Sequence, residues 1–234
     1  MVDRSRHYAK KSDVRPGGAE QTRLGLIRAA LGQFGRLGYD GASTRDIAAA
    51  AGANIGSIAY HFGGKEGLHT ACAEHIVETM RAVAAPALGS LSPDQALTQQ
   101  AAEDAIAQAI ERMAGFVVCQ PQAGDFVSFI LRELGQPTRA LDIVYEGIFE
   151  PVHKRLCAVW AAATGEDAES DRTRLQVFTL IGQVVYFRIA RAAVMRRMGW
   201  QDIAGAETGA ILDVARGNVE AILAARRKAP EEPS

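Results

Sequence analysis

Asn54 and Ser57 stand in the run Ala-Gly-Ala-Asn-Ile-Gly-Ser, where side chains that hydrogen-bond, side chains that offer methyl groups and one glycine lie within a few positions. Amide and hydroxyl groups can bond base edges or phosphates, Ala53 and Ile55 can meet thymine methyl groups, and Gly56 permits close backbone approach. Tyr60 and His61 continue the same segment. Thr44, Arg45 and Lys65 flank it with groups that can hold phosphate oxygens, Thr44 partly through backbone N–H groups. A second set, Glu146, Glu150 and His153, falls at i, i+4 and i+7 on one helical face, and Glu150-x-x-His153 has the spacing of carboxylate-bridged two-metal bundles. Such a centre needs a matching motif facing it, and none is assigned. The charges of this face, with Arg132, Glu133, Arg188 and Arg191 in other apolar helices, are expected to pair or to meet a polar ligand, because an unpaired buried charge is expensive. No catalytic residue, cofactor or metal is predicted.

The first set needs two helices and a tight turn to position it. Ser43 and Thr44 can cap a helix, and Asp46 lies in its first turn, where the dipole favours an acid. Ile47, Ala48 and Ala51 form the inward stripe, and Gly52 follows where the chain must turn. Ala48, Gly52 and Ile58 occupy the three constrained positions: a small residue where the helices cross, a glycine in the turn, and an aliphatic plug. Ile58 and Phe62 are therefore assigned to the core. Upstream, 22–38 reads as an amphipathic helix with Leu24, Ile27, Ala30, Leu31 and Phe34 on one face, ended by Gly38. The pattern is a DNA-binding helix-turn-helix.

With the Gly-Tyr-Asp-Gly connector before it and YHFGGKEGL opening a longer helix after it, the chain from about Thr22 to Met80 closely resembles the TetR family of bacterial transcriptional regulators. The run from Phe126 to Trp200 resembles the C-terminal domain of its CecR-like subgroup, linked to antibiotic sensitivity. The resemblance implies double-stranded operator DNA, a second copy of the chain and a small-molecule effector as partners. Two positions depart from the common pattern: Ile55 stands where many members have lysine, and the tyrosine is Tyr60 rather than residue 59. A one-residue slip turns a helical side chain by about 100°.

Charge agrees with this reading. The chain carries −1 overall, but residues 1–65 hold ten basic against five acidic side chains and residues 66–234 hold 16 against 22. The basic end is the end suited to phosphate. Cys72, Cys119 and Cys157 form no paired motif, as is usual in a reducing cytoplasm, and no segment reads as a signal peptide or a membrane span. The predicted organisation is all-α: a disordered basic arm (1–19), a three-helix head (20–66), a ligand-binding and dimerisation body (67–228) and a disordered tail (229–234).

Breakers divide the body into helices at about 65–88, 94–119, 122–136, 138–164, 171–198 and 200–226, giving nine with the head. The run from Leu175 to Met198 is apolar nearly all round and must be covered on two sides. A homodimer through 171–198 and 200–226 would do this. Phe116, Phe126, Phe129, Tyr145 and Phe149 could line an apolar effector cavity, with Gln183 and Tyr186 as hydrogen-bonding groups, although aromatics at helical spacing are more often core. Three functions follow: a ligand-responsive cytoplasmic repressor, which the motifs favour, a helical metal-dependent enzyme, and a DNA-binding protein without an effector.

Overall fold

The computed structural model describes residues 18–89 and 97–228, and every element among them is helical. Most of the expected arm, the Pro93 separator and the tail at 229–234 lie outside the described residues. Gly18 and Ala19 correct the arm's boundary, since they open α1 (Gly18–Gly41). This helix buries Leu26, Ile27, Ala30, Leu31 and Phe34 and breaks at Gly38, whose φ of 74° is left-handed. Glycine adopts that conformation without a Cβ penalty. Helix α2 (Thr44–Ala50) and α3 (Gly56–Phe62) follow, with the chain reversing at Gly52 (φ 62°), and α4 (Lys65–Leu88) then runs from the head into the body.

The body begins with α5 (Gln99–Val117) and α6 (Pro121–Gly135). Thr98 caps α5 by accepting from the Ala101 N–H, and Pro121 opens α6, where a missing N–H costs nothing. Thr138 caps α7 (Arg139–Val144), which continues through a single π turn (Tyr145–Phe149) into α8 (Glu150–Thr164). Pro151 accounts for the π turn: it has no N–H to offer the carbonyl of Gly147, so the regular ladder is interrupted. Arg81 of α4 supplies a donor instead, with Nε 2.7 Å from Gly147 O.

The last elements are α9 (Asp171–Ile189), α10 (Arg191–Met198) and α11 (Gly205–Lys228). The helix expected over 171–198 is broken at Ala190 by a bend of 76°, so the described residues form ten helical rods rather than nine when α7 and α8 are taken as one. The cause is tertiary. Arg188 donates to the carbonyls of Val117, Val118 and Gln120 at the end of α5, and Arg191 donates to Val118 O and to the Asp202 carboxylate. These anchors fix both sides of the bend. The expected 200–226 helix likewise starts later, at Gly205.

Two apolar cores result. One joins α1 to α4 with the end of α5, α6, α7 and the π turn, and holds Phe34, Ile47, Ile58, Leu68, Ile76, Phe116, Phe126, Phe129 and Ile148. The other joins α5, α8, α9 and α11 around Trp160, Ile106, Val184, Ile211 and Leu223. Trp160 is fully buried, and its indole N–H donates to Glu166 at 2.9 Å.

A Cβ on Gly147 would lie 2.7 and 2.8 Å from the two methyls of Val77, a stiff β-branched residue buried on α4. Gly147→Ala should therefore destabilise the fold by about 1–3 kcal/mol through overpacking. Chemical denaturation of the two proteins measures this, and equal midpoints would show that the contact relaxes without cost.

Candidate nucleic-acid interface

The reading face is assembled from short-range hydrogen bonds. Ser43 caps α2, its Oγ accepting from the Arg45 N–H at 3.2 Å, which sets Thr44 and Arg45 at the helix N-terminus. Ile47, Ala48 and Ile58 are buried where α2 and α3 cross. In the turn, Ala53 N donates to Ala48 O and Ser57 N to Asn54 O, both at 2.9 Å. The Asn54 side chain caps α3: Oδ1 accepts from the Gly56 N–H at 2.8 Å. Asn54, Ile55, Gly56 and Tyr60 are exposed, while Ala53, Ser57 and His61 are half-buried. Ile55 is 51% exposed and Tyr60 82%, so both departures from the family pattern present their side chains to solvent. Tyr60 packs edge-on against His61, ring centres 4.9 Å apart.

Lys65 is the first residue of α4, after the left-handed Gly63 and Gly64. Its ammonium donates to Asp40 O at 3.4 Å and lies 4.7 Å from the centre of the Tyr39 ring. An ammonium carries three donors, so this tether orients Lys65 without exhausting it. Tyr39 and Asp40 belong to the connector, whose part in holding Lys65 is invisible to periodicity because it depends on the Gly38 break. Arg23 plays a comparable supporting part, its guanidinium 5.7 Å from the centre of the Phe62 ring.

The predicted effector residues fall into three places. Phe116, Phe126 and Phe129 are buried in the first core, with Phe116 and Phe126 6.0 Å apart between ring centres. Phe149 packs at the edge of that core, whereas Tyr145 is exposed on the π turn and Tyr186 on α9. Gln183 lies in the α9–α11 seam, its Oε1 accepting from Asn218 at 3.2 Å while its buried Nε2 has no hydrogen-bond partner.

The Glu146, Glu150 and His153 face does not converge. Glu150 pairs with Lys154 at 2.8 Å, and His153 stacks on Phe178 at 4.0 Å with Nε2 3.1 Å from Arg174 O. The sequence repeats the Glu-x-x-His spacing at Glu66 and His69, a match not used above. There too the residues diverge, Glu66 being exposed and His69 buried against Glu133. Among the described residues no cluster of three His, Cys, Asp or Glu side chains could hold a metal ion.

A basic N-terminal segment that ends in two short helices crossing at a glycine turn, with α3 exposed along one face, defines a helix-turn-helix DNA-binding protein. Residues 26–72 match the model of bacterial regulatory proteins of the tetR family, and residues 102–226 match the C-terminal domain of the HTH-type transcriptional dual regulator CecR. The CecR regulator of Shigella flexneri is 37% identical over 193 residues, which cover 77% of this chain and 82% of that one. The regulatory protein RaaS of Mycobacterium tuberculosis is 44% identical over 84 residues, 36% of this chain and 39% of its own. Two solved structures share the fold at low identity. A TetR-like regulator from Rhodococcus sp. RHA1 has a TM-score of 0.60 at 19% identity, covering 90% of this chain and 99% of that one. AibR, solved with isovaleryl coenzyme A and operator DNA, has a TM-score of 0.63 at 13% identity, covering 84% and 97%. The chain belongs to the TetR family of transcriptional regulators, in the group that shares the CecR-type C-terminal domain.

If the Lys65 ammonium reaches a phosphate, Lys65→Ala weakens binding to all DNA sequences alike. The slope of log affinity against log salt should then become shallower by about one. Titrations at several salt concentrations test this, and an unchanged slope removes Lys65 from the phosphate contacts.

Proposed function

We propose that this regulator is a cytoplasmic homodimeric repressor that binds a palindromic operator through residues 44–65 and leaves it when a small molecule occupies the body. The observation that carries the reading is the exposed α3 face at the basic end of the chain. Thr44, Arg45 and Lys65 would hold phosphates, and Ala53, Asn54, Ile55, Gly56, Ser57, Tyr60 and His61 would meet the groove. On this reading residues 20–66 form the reading head and 67–228 the sensing and dimerising body.

Dimerisation is supported by the outward sides of α9 and α11. Leu175, Phe178, Tyr186 and Ile189 are 53–65% exposed along α9 at helical spacing, and Val214 is 62% exposed on α11. Gly217, Ala210 and Ala221 accompany Val214 on the exposed side of α11. Large side chains on one helix and small ones on its neighbour suit an isologous pairing. The bent α10 stands outside the proposed four-helix contact. Phe178→Glu should shift the protein from dimer to monomer in analytical ultracentrifugation, and a dimer that survives the change places the interface elsewhere.

The effector site is proposed around Phe116 and Phe126, which share the first core with Phe129 and Phe149; Tyr145, Gln183 and Tyr186 stand apart from that cluster and would serve it only after rearrangement or as a second contact region. The unpartnered Nε2 of Gln183 supports a polar contact with a ligand or with the second copy, since an unsatisfied buried donor is costly. AibR, which shares this fold, binds both isovaleryl coenzyme A and operator DNA, which supports a ligand site in the body without fixing how the ligand acts on DNA binding. Selection of binding sites from fragmented genomic DNA at moderate salt tests the reading. A single palindromic motif is the expected result, whereas diffuse, salt-labile retention would sink the operator assignment. An inducer must then bind the free protein more tightly than the operator-bound protein, because a ligand with equal affinity for both shifts nothing.

A further inference from the structure

The seam between reading head and body contains two histidines that no DNA contact uses, and both lie on α4. His69 is buried, with Nε2 3.3 Å from Glu133 Oε1 of α6. Its ring is enclosed by Phe34 and Tyr39 of α1 and Phe129 of α6, at 4.6, 4.9 and 4.8 Å between centres. The other Glu133 oxygen accepts from the N–H and hydroxyl of Thr138, at 3.1 and 2.6 Å. His75, six residues further along, is half-buried against Phe126 of α6, at 5.9 Å.

The charges around both rings are mixed. Lys65 of α4 and Glu133 of α6 act on His69, and Arg23 and Arg28 of α1 act on His75 with Glu78 of α4. From α6, Arg132 also enters the seam, donating to Arg36 O at 2.8 Å and to Gly35 O at 3.4 Å. Burial is the largest effect on both histidines and holds each below the ordinary value of 6.5; Glu133 and Glu78 oppose it, while the lysine and arginines reinforce it. The seated head therefore keeps both rings neutral where an unseated head would take up protons. Its seating is strongest above pH 6.5 and weakens as pH falls through that value.

We propose that the α1–α4–α6 seam is a proton-sensitive clamp, in which charging His69 and His75 unseats the reading head from the body and weakens DNA binding. Glu133 is a positioning residue for this device: it holds His69 across the seam and is itself held by Thr138. The first half of the inference is independent of the operator reading, and only the effect on DNA rests on it.

The test uses the full chain and its His69→Gln/His75→Gln variant, compared by backbone hydrogen exchange at about pH 7.5 and about pH 5.5, within the range where histidine changes charge. After correction for intrinsic rates, 18–41 and 65–76 of the unaltered chain should lose protection at the lower pH relative to α9. The loss should be up to about tenfold for each unit by which the two pKa values lie below normal. The variant should show no such loss, and equal behaviour of the two proteins overturns the clamp. Glu133→Gln provides a check that leaves both histidines in place. Its His69 ring should titrate lower still by NMR, and a His69 that titrates at the ordinary value in the unaltered chain also overturns the proposal. On a selected operator, acid should weaken the unaltered chain relative to the double variant; His61 is common to both and cancels. Failure to bind any DNA at either pH counts against the operator reading, while the exchange result still decides the clamp.

Discussion

The close approach of α1 to α6 is the constraint on which the rest of the molecule depends. A Cβ at Gly35 would stand 2.9 Å from Ser128 Cβ and 3.2 Å from the Phe129 nitrogen, so only glycine allows the two backbones this near. Arg132 strengthens the crossing by bonding the carbonyls of Gly35 and Arg36 just before the break at Gly38. Breaks of this kind leave the last carbonyls of a helix without intrahelical donors. The guanidinium that satisfies them comes from the body. Phe34 and Phe129 then meet across the seam, 6.4 Å apart, and the apolar core passes from the helix-turn-helix into α6 and α7 without interruption.

Because that core is continuous, α4 is not the only connection between the head and the body. It is held along its length. Lys65 reaches back to the connector, His69 reaches α6, and Val77 and Arg81 engage Gly147 in the π turn. A displacement of the rod formed by α7 and α8 therefore acts on α4 directly, and a displacement of α6 acts on α1 and α4 together. Packed helices with such short contacts cannot deform gradually, which favours two discrete seatings of the head over a continuous range.

Much of this was legible in the residues, and the reasons differ by element. The head could be read because Gly38, Gly52 and Ser43 act locally: positive φ and side-chain capping are properties of a few consecutive residues. The buried stripes of α1 and α2 follow from helical spacing. The break at Ala190 could not be read, since alanine is a good helix former and the bend is imposed by arginines bonded to a helix some 70 residues earlier in the chain. The π turn had a visible cause in Pro151, but its stabilising partner, Arg81, lies on another helix. The same limit applied to the effector residues. Spacing placed seven polar and aromatic side chains on helices, and only packing could separate Phe126 in the core from Tyr186 on the surface.

The capping of α3 by Asn54 has a consequence for the vocabulary of the groove. A free asparagine amide can meet adenine with both hands, accepting from N6 and donating to N7. In this chain one lone pair of that oxygen is taken by the Gly56 N–H. The second lone pair stays open, so the amide keeps both its acceptor and its donors, but only in the orientations that preserve the bond to Gly56. The cap that starts a seven-residue helix thus also fixes the pose in which this exposed amide is offered to whatever lies against that face.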